Sequence, residues 1–159
     1  MVRQISFFGP ETEQPLATGA ENPHDAAGSF PRPTVLVIDD EPLIQWSLGE
    51  AIREAGYRVQ VAATGADAQI ALGTLDGQPL VILLDLRLPD VLDLSLLRAL
   101  RSRRPDAPVL VLSAWASSEI AAAAMQAGAA HVMKKPFDVA SVVAAVRVAS
   151  GPSGPAYTL

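Results

Sequence analysis

The feature that most constrains this chain's fold begins at Thr34, where short aliphatic runs start to alternate with longer stretches whose apolar residues recur at helical spacing. A strand that is apolar at every position must be covered on both faces, which happens in parallel sheets flanked by helices. The runs are Val35–Ile38, Arg58–Val61, Leu80–Leu84, Val109–Leu112 and Ala130–Met133. Strands separated by helix-length crossovers predict an α/β fold: one five-stranded parallel sheet, doubly wound, with helices on both faces.

The intervening stretches carry their own start and stop signals. Ile44, Leu48, Ala51, Ile52 and Ala55 fall on one helical face, with Pro42 in the first turn and Gly56 as the stop. Thr64 and Asp67 have capping-box spacing for the second helix, and Asp93 and Asp138 are expected as N-caps of the third and fifth. Ser117 or Ser118 should open the alanine-rich fourth helix, which ends at Gly128. Val139, Val142, Val143 and Val146 line one face of the last helix. Gly151, Pro152, Gly154 and Pro155 then halt regular structure, so 151–159 reads as a flexible tail.

Residues 1–33 differ in texture. They hold prolines at 10, 15, 23, 31 and 33, out of thirteen in the chain, without helical or strand periodicity, and read as a disordered extension. The apolar cluster Ile5, Phe7 and Phe8 stops at Gly9 and Pro10, short of a signal-peptide core, and no run approaches a membrane span. A cytoplasmic location is expected. The net charge of −5 argues against direct binding to nucleic acid or anionic lipid, and the absence of cysteine excludes disulfides, thiolate metal sites and cysteine nucleophiles.

Open parallel sheets bind ligands outside the carboxyl ends of their strands, where the strand order reverses. The polar residues that end strands are Asp39 and Asp40 after the first, Asp85 after the third, Ser113 after the fourth, and Lys135 with Pro136 after the fifth. With strand order 2-1-3-4-5 they converge on one edge. Two carboxylates about 4 Å apart repel by roughly 4 kcal/mol at an effective dielectric of 20. Three beside a single lysine call for a divalent cation, and oxygen ligands without Cys or a nearby His favour Mg²⁺, with Mn²⁺ as substitute. An acid left over after metal ligation can attack phosphorus once its charge is shielded, and the solitary Asp85 is the candidate. Taken singly, Asp39, Asp40 and Glu41 before Pro42 read equally as acids favoured at a helix N-terminus.

The segments VLVIDDEPLI (35–44), LLDLRLPD (83–90), VLVLSA (109–114) and GAAHVMKKPF (128–137) resemble the receiver domains of two-component response regulators, over Thr34 to about Ala149. The resemblance implies the flavodoxin-like order 2-1-3-4-5. It implies that Asp85 is the phosphoacceptor, that Asp40 ligates Mg²⁺ directly and Asp39 largely through water, and that the backbone carbonyl of Arg87 completes the protein ligands. Ser113 and Lys135 would contact phosphate oxygens, and Lys135–Pro136 would be cis. The partners implied are a sensor histidine kinase or a histidine phosphotransfer protein and a downstream protein target, with a homodimer through helix 4, strand 5 and helix 5 as an option. The chain is expected to be no enzyme beyond its own phosphorylation and dephosphorylation.

Two features depart from the family pattern. Val132 stands where receivers usually carry Tyr or Phe, so the link between Ser113 and the face of helix 4, strand 5 and helix 5 is expected to be muted. Leu92 and Asp93 replace the usual polar residue and glycine of the loop after Asp85. His131 is expected to be a strand-edge residue without a chemical role, Trp46 a surface or partner contact, and Trp115 a neighbour of the site. The competing readings are a pseudo-receiver that binds protein without being phosphorylated, and a small haloacid-dehalogenase-type phosphatase. The latter places its nucleophile in a D-x-D motif on the first strand, whereas Asp39 and Asp40 are adjacent here.

Overall fold

The computed structural model describes residues 33–114 and 117–151. Trp115 lies outside them, as do residues 1–32 of the expected extension and 152–159 of the expected tail. The elements alternate strictly: β1 (Thr34–Ile38), α1 (Pro42–Glu54), β2 (Arg58–Ala62), α2 (Gly65–Thr74), β3 (Leu80–Asp85), α3 (Ser95–Arg103), β4 (Val109–Ser113), α4 (Ser118–Gln126), β5 (His131–Lys134) and α5 (Val139–Ser150). All strand pairs are parallel and the order is β2-β1-β3-β4-β5, as expected.

The alternation of side chains along each strand divides the core in two. Leu36, Ile38, Ile82, Leu84, Val109 and Val111 face α2, α3 and α4, where they meet Ala68, Leu72, Leu97, Leu100 and Ala124. Val35, Val37, Val81, Leu83, Leu110 and Leu112 face α1 and α5, where they meet Leu48, Ile52, Val142 and Val146. Val132 is half-buried against the first cluster, while His131 is exposed on β5 and Trp46 is exposed on α1.

Helix boundaries follow the sequence signals closely. Pro42 sits in the first turn of α1, and Gly56 after its end has φ 92°, a left-handed conformation that glycine adopts without strain. Ser117 caps α4, accepting from the Ile120 amide, and Asp138 caps α5, accepting from the Ala140 amide. Asp93 is not the N-cap of α3; Leu94 occupies that position. The Asp93 carboxylate instead accepts from the Ser95 amide at 2.8 Å, serving the helix start from one residue further out. Pro33, expected in the extension, is buried, and its carbonyl accepts from the Arg58 amide at 3.2 Å.

The connection from α2 to β3 is held by a residue from elsewhere. α2 has no basic residue in its last turn, and the buried Arg104 supplies the missing donor. Its guanidinium donates to the carbonyls of Leu75 (2.8 Å) and Gln78 (2.7 Å) and pairs with both carboxylate oxygens of Asp106 (3.0 and 2.7 Å).

Candidate functional site

In-register pairing brings the strand ends level. Ile38 lies opposite Leu84 and Ala62, Asp85 opposite Leu112, and Ser113 opposite Lys134. The ladder continues one step further at both ends of the site, from the Asp39 amide to the Ala62 carbonyl (3.1 Å) and from the Lys135 amide to the Ser113 carbonyl (2.8 Å). Asp39, Asp40, Asp85, Ser113 and Lys135 therefore stand together at the carboxyl edge, over the point where β1 is flanked by β2 and β3.

One carboxylate oxygen from each of Asp39, Asp40 and Asp85 lies within 4.8 Å of the other two. Asp39 and Asp85 are buried and use their two oxygens alike. One Asp39 oxygen accepts from the Glu41 amide (2.9 Å) and the other from Lys135 Nζ (2.8 Å). One Asp85 oxygen accepts from the Arg87 amide (2.9 Å) and the other from Lys135 Nζ (2.6 Å). Asp40, by contrast, is exposed. Lys135 also reaches the exposed carboxylate of Glu41 at 3.1 Å, so one ammonium serves three acids. The Lys135–Pro136 peptide is cis.

Burial pushes the Asp39 carboxyl up, against the opposing pull of its hydrogen bonds from Lys135 and the Glu41 amide. Burial of the Lys135 ammonium pulls the other way, but the hydrogen bonds to Asp39 and Asp85 outweigh it and hold this lysine well above its ordinary value. The lysine is charged at neutral pH, and the cluster retains a surplus of negative charge. Hard oxygen donors in such a set fit Mg²⁺ better than any soft metal. Arg87 is exposed on the loop directly after β3, with its amide tied to Asp85. Ser113 is buried at the end of β4.

Sequence reasoning missed three contributors. Glu41 joins the lysine's partners across 94 residues, and the Gln45 side-chain amide donates to the backbone carbonyl of Asp39 from α1. Asp90, on the loop after Asp85, accepts from the amides of Gly65 (2.8 Å) and Ala66 (3.0 Å) at the start of α2. Glu41, adjacent to Asp40, and Gln45, one helical turn further on, had local signals; Asp90 had none.

The chain matches the family model described as "Response regulator receiver domain" over residues 35–147. Among curated proteins it is 38% identical over 114 residues to the probable transcriptional regulatory protein TcrX of Mycobacterium tuberculosis, covering 72% of this chain and 48% of that one. It is 36% identical over 115 residues to the DNA-binding transcriptional regulator NtrC of Escherichia coli, covering 72% of this chain and 24% of that one. The chain thus spans about half or less of these relatives' lengths. Among solved structures, the Francisella response regulator 1452 receiver domain superposes with a TM-score of 0.67 at 29% identity, covering 75% of this chain and 97% of that one. The non-phosphorylated HemR receiver domain from Leptospira biflexa gives 0.69 at 27% identity, covering 79% and 100%. No helix among the described residues is long and apolar enough to cross a membrane.

Proposed function

The chain belongs to the response regulator receiver family, and on that footing we propose that Asp85 accepts a phosphoryl group from a phosphohistidine of a sensor kinase or phosphotransfer protein. The observation that carries the reading is the convergence of Asp39, Asp40, Asp85 and Lys135 on one strand edge, with carboxylate oxygens within 4.8 Å and the ammonium 2.6 Å from Asp85. In the transfer, an Asp85 oxygen forms a bond to phosphorus as the phosphorus–nitrogen bond of the donor breaks, and the electron pair returns to the donor imidazole. Lys135 faces the developing charge on the phosphoryl oxygens, and Ser113, at the end of the neighbouring strand, hydrogen-bonds one of them.

Asp40 and Asp85, with Asp39 behind them and the Arg87 carbonyl beside them, would hold Mg²⁺, which supplies the charge neutralisation that lets one anion attack another. A hollow of about 530 Å³ lined by Leu43, Ile44, Pro136 and Phe137 adjoins Lys135 and supports approach of the phosphodonor from the side of α1. The phosphorylated state engages Ser113 and biases a pre-existing equilibrium of the face formed by α4, β5 and α5, which a downstream protein reads in the cytoplasm. Val132, half-buried in place of a switch aromatic, makes that bias weaker on α4, β5 and α5. A homodimer through that face is compatible with this scheme.

Incubation with acetyl phosphate tests the proposal. The full chain should gain one phosphoryl group with Mg²⁺ and none in excess EDTA. A chain that stays unlabelled under both conditions would be a pseudo-receiver. Steady turnover of a simple phosphate ester would instead favour the haloacid-dehalogenase-type phosphatase.

A further inference from the structure

We propose that Asp90 is a positioning residue for the metal site, pinning the tip of the loop after Asp85 onto the start of α2 and so fixing where the Arg87 carbonyl stands. The inference rests on the reading of Asp85 and its neighbours as a Mg²⁺-dependent phosphoacceptor site.

Three anchors hold the loop. At its root the Arg87 amide donates to Asp85. In its middle, Leu88 is buried, and its backbone exchanges hydrogen bonds with Val91 at 3.1 and 3.3 Å, closing a tight turn around Pro89 and Asp90. At its tip the two Asp90 oxygens take the amides of Gly65 and Ala66, the first two of α2. Arg87 is itself the root anchor through its amide, and the turn pinned at Asp90 begins at the next residue, so the Arg87 carbonyl stands between two fixed points.

Helix capping alone does not account for the arrangement. α2 has a cap within its own chain, since Thr64 Oγ1 accepts from the Asp67 amide at 3.0 Å. Asp90 serves amides that Thr64 leaves, and it does so across 24 and 25 residues of sequence. The close approach also shapes residue 65. A Cβ there would stand 2.8 Å from Val91 Cγ2 and 3.3 Å from an Asp90 oxygen, so glycine is what lets loop and helix meet. The two amide bonds, Gly65's foremost, hold the Asp90 carboxyl below the usual carboxylate range, as a carboxylate at a helix N-terminus should be. Groups that orient metal ligands without touching the ion typically change metal affinity 10- to 100-fold when removed.

The test compares four variants of the full chain by NMR titration with Mg²⁺ alone and by urea unfolding in EDTA. Asp90→Ala should raise the Mg²⁺ dissociation constant about 10-fold, and Asp90→Asn, which keeps one acceptor, should recover much of that. Gly65→Ala pushes the loop away while leaving Asp90 in place, and should weaken Mg²⁺ as Asp90→Ala does. Thr64→Ala removes the helix's own cap and should lower stability while leaving the dissociation constant within about twofold. If Asp90→Ala does not fold, Asp90→Asn and Gly65→Ala carry the comparison. Wild-type affinity in the Asp90 and Gly65 variants, or equal weakening by Thr64→Ala, overturns the inference. Acetyl phosphate labelling of Asp85→Asn, run alongside, fails independently: label on that variant sinks the phosphoacceptor reading while the Mg²⁺ titrations still judge the role of Asp90.

Discussion

Replacing Lys135 and replacing Asp85 should have very unequal consequences for stability, although each breaks the same 2.6 Å ion pair. At an effective dielectric of 20, that pair is worth about 6 kcal/mol of gross attraction, and the 2.8 Å contact between Lys135 and Asp39 about as much again. The carboxylates, within 4.8 Å of one another, repel by about 3.5 kcal/mol or more per pair. Asp85→Asn therefore loses about 6 kcal/mol of attraction and sheds about 7 of repulsion. The amide oxygen still accepts from the Arg87 amide, so the net change in EDTA should lie within about 1 kcal/mol of zero. Lys135→Met loses both attractions and sheds no repulsion. It leaves two buried carboxylates uncompensated, and breaking buried pairs in this way costs about 3–5 kcal/mol. Adding Asp85→Asn to Lys135→Met should restore part of that loss. Urea unfolding of the four proteins in EDTA checks the cycle. A loss above about 3 kcal/mol in Asp85→Asn, or below about 1 in Lys135→Met, would refute the charge reasoning.

Other outcomes follow from the same geometry. Asp40→Ala should weaken Mg²⁺ binding more than Asp39→Ala, because Asp40 is exposed and Asp39 is already held by Lys135 and the Glu41 amide; equal weakening in a titration would contradict this. Arg104→Met should cost about 1–3 kcal/mol in urea unfolding, because the Gln78 carbonyl loses its donor and the Leu75 carbonyl keeps only the Gln78 amide. The Arg104 hydrogen bond holds the Asp106 carboxyl below its ordinary value, so this pair stabilises the fold at neutral pH and stops doing so as acid protonates it. The gap between wild type and Arg104→Met should accordingly narrow, not widen, at low pH. Val132→Tyr should enlarge phosphorylation-dependent chemical-shift changes on α4, β5 and α5 while leaving the labelling rate within a few-fold; large shifts in the unmodified protein would show that something other than a ring carries the signal.

The layout of the fold was legible because its strands are apolar on both faces, a pattern that leaves few alternatives to a covered parallel sheet. Strand ends were less sharp: β3 and β4 each run one residue further than their aliphatic runs, into Asp85 and Ser113, because in-register pairing carries the ladder up to the site. The site residues were found for a related reason, since polar residues at the ends of buried strands gather on one edge whatever the loops do. Contacts made across the fold were not legible. Nothing near Asp90 in sequence signals that it serves α2 rather than α3, and Asp93, three residues on, looked the better cap although it lies one residue outside the cap position of α3. Arg104 reads as one arginine among several on a basic helix end until the return of β3 places the Leu75 and Gln78 carbonyls beside it.

The most direct measurement of the central claim is peptide mapping of the chain after acetyl phosphate and Mg²⁺. The account predicts a single hydroxylamine-labile phosphoryl group on the peptide that contains Asp85, and none on Asp85→Asn. Label on any other residue, or undiminished label on Asp85→Asn, would contradict it.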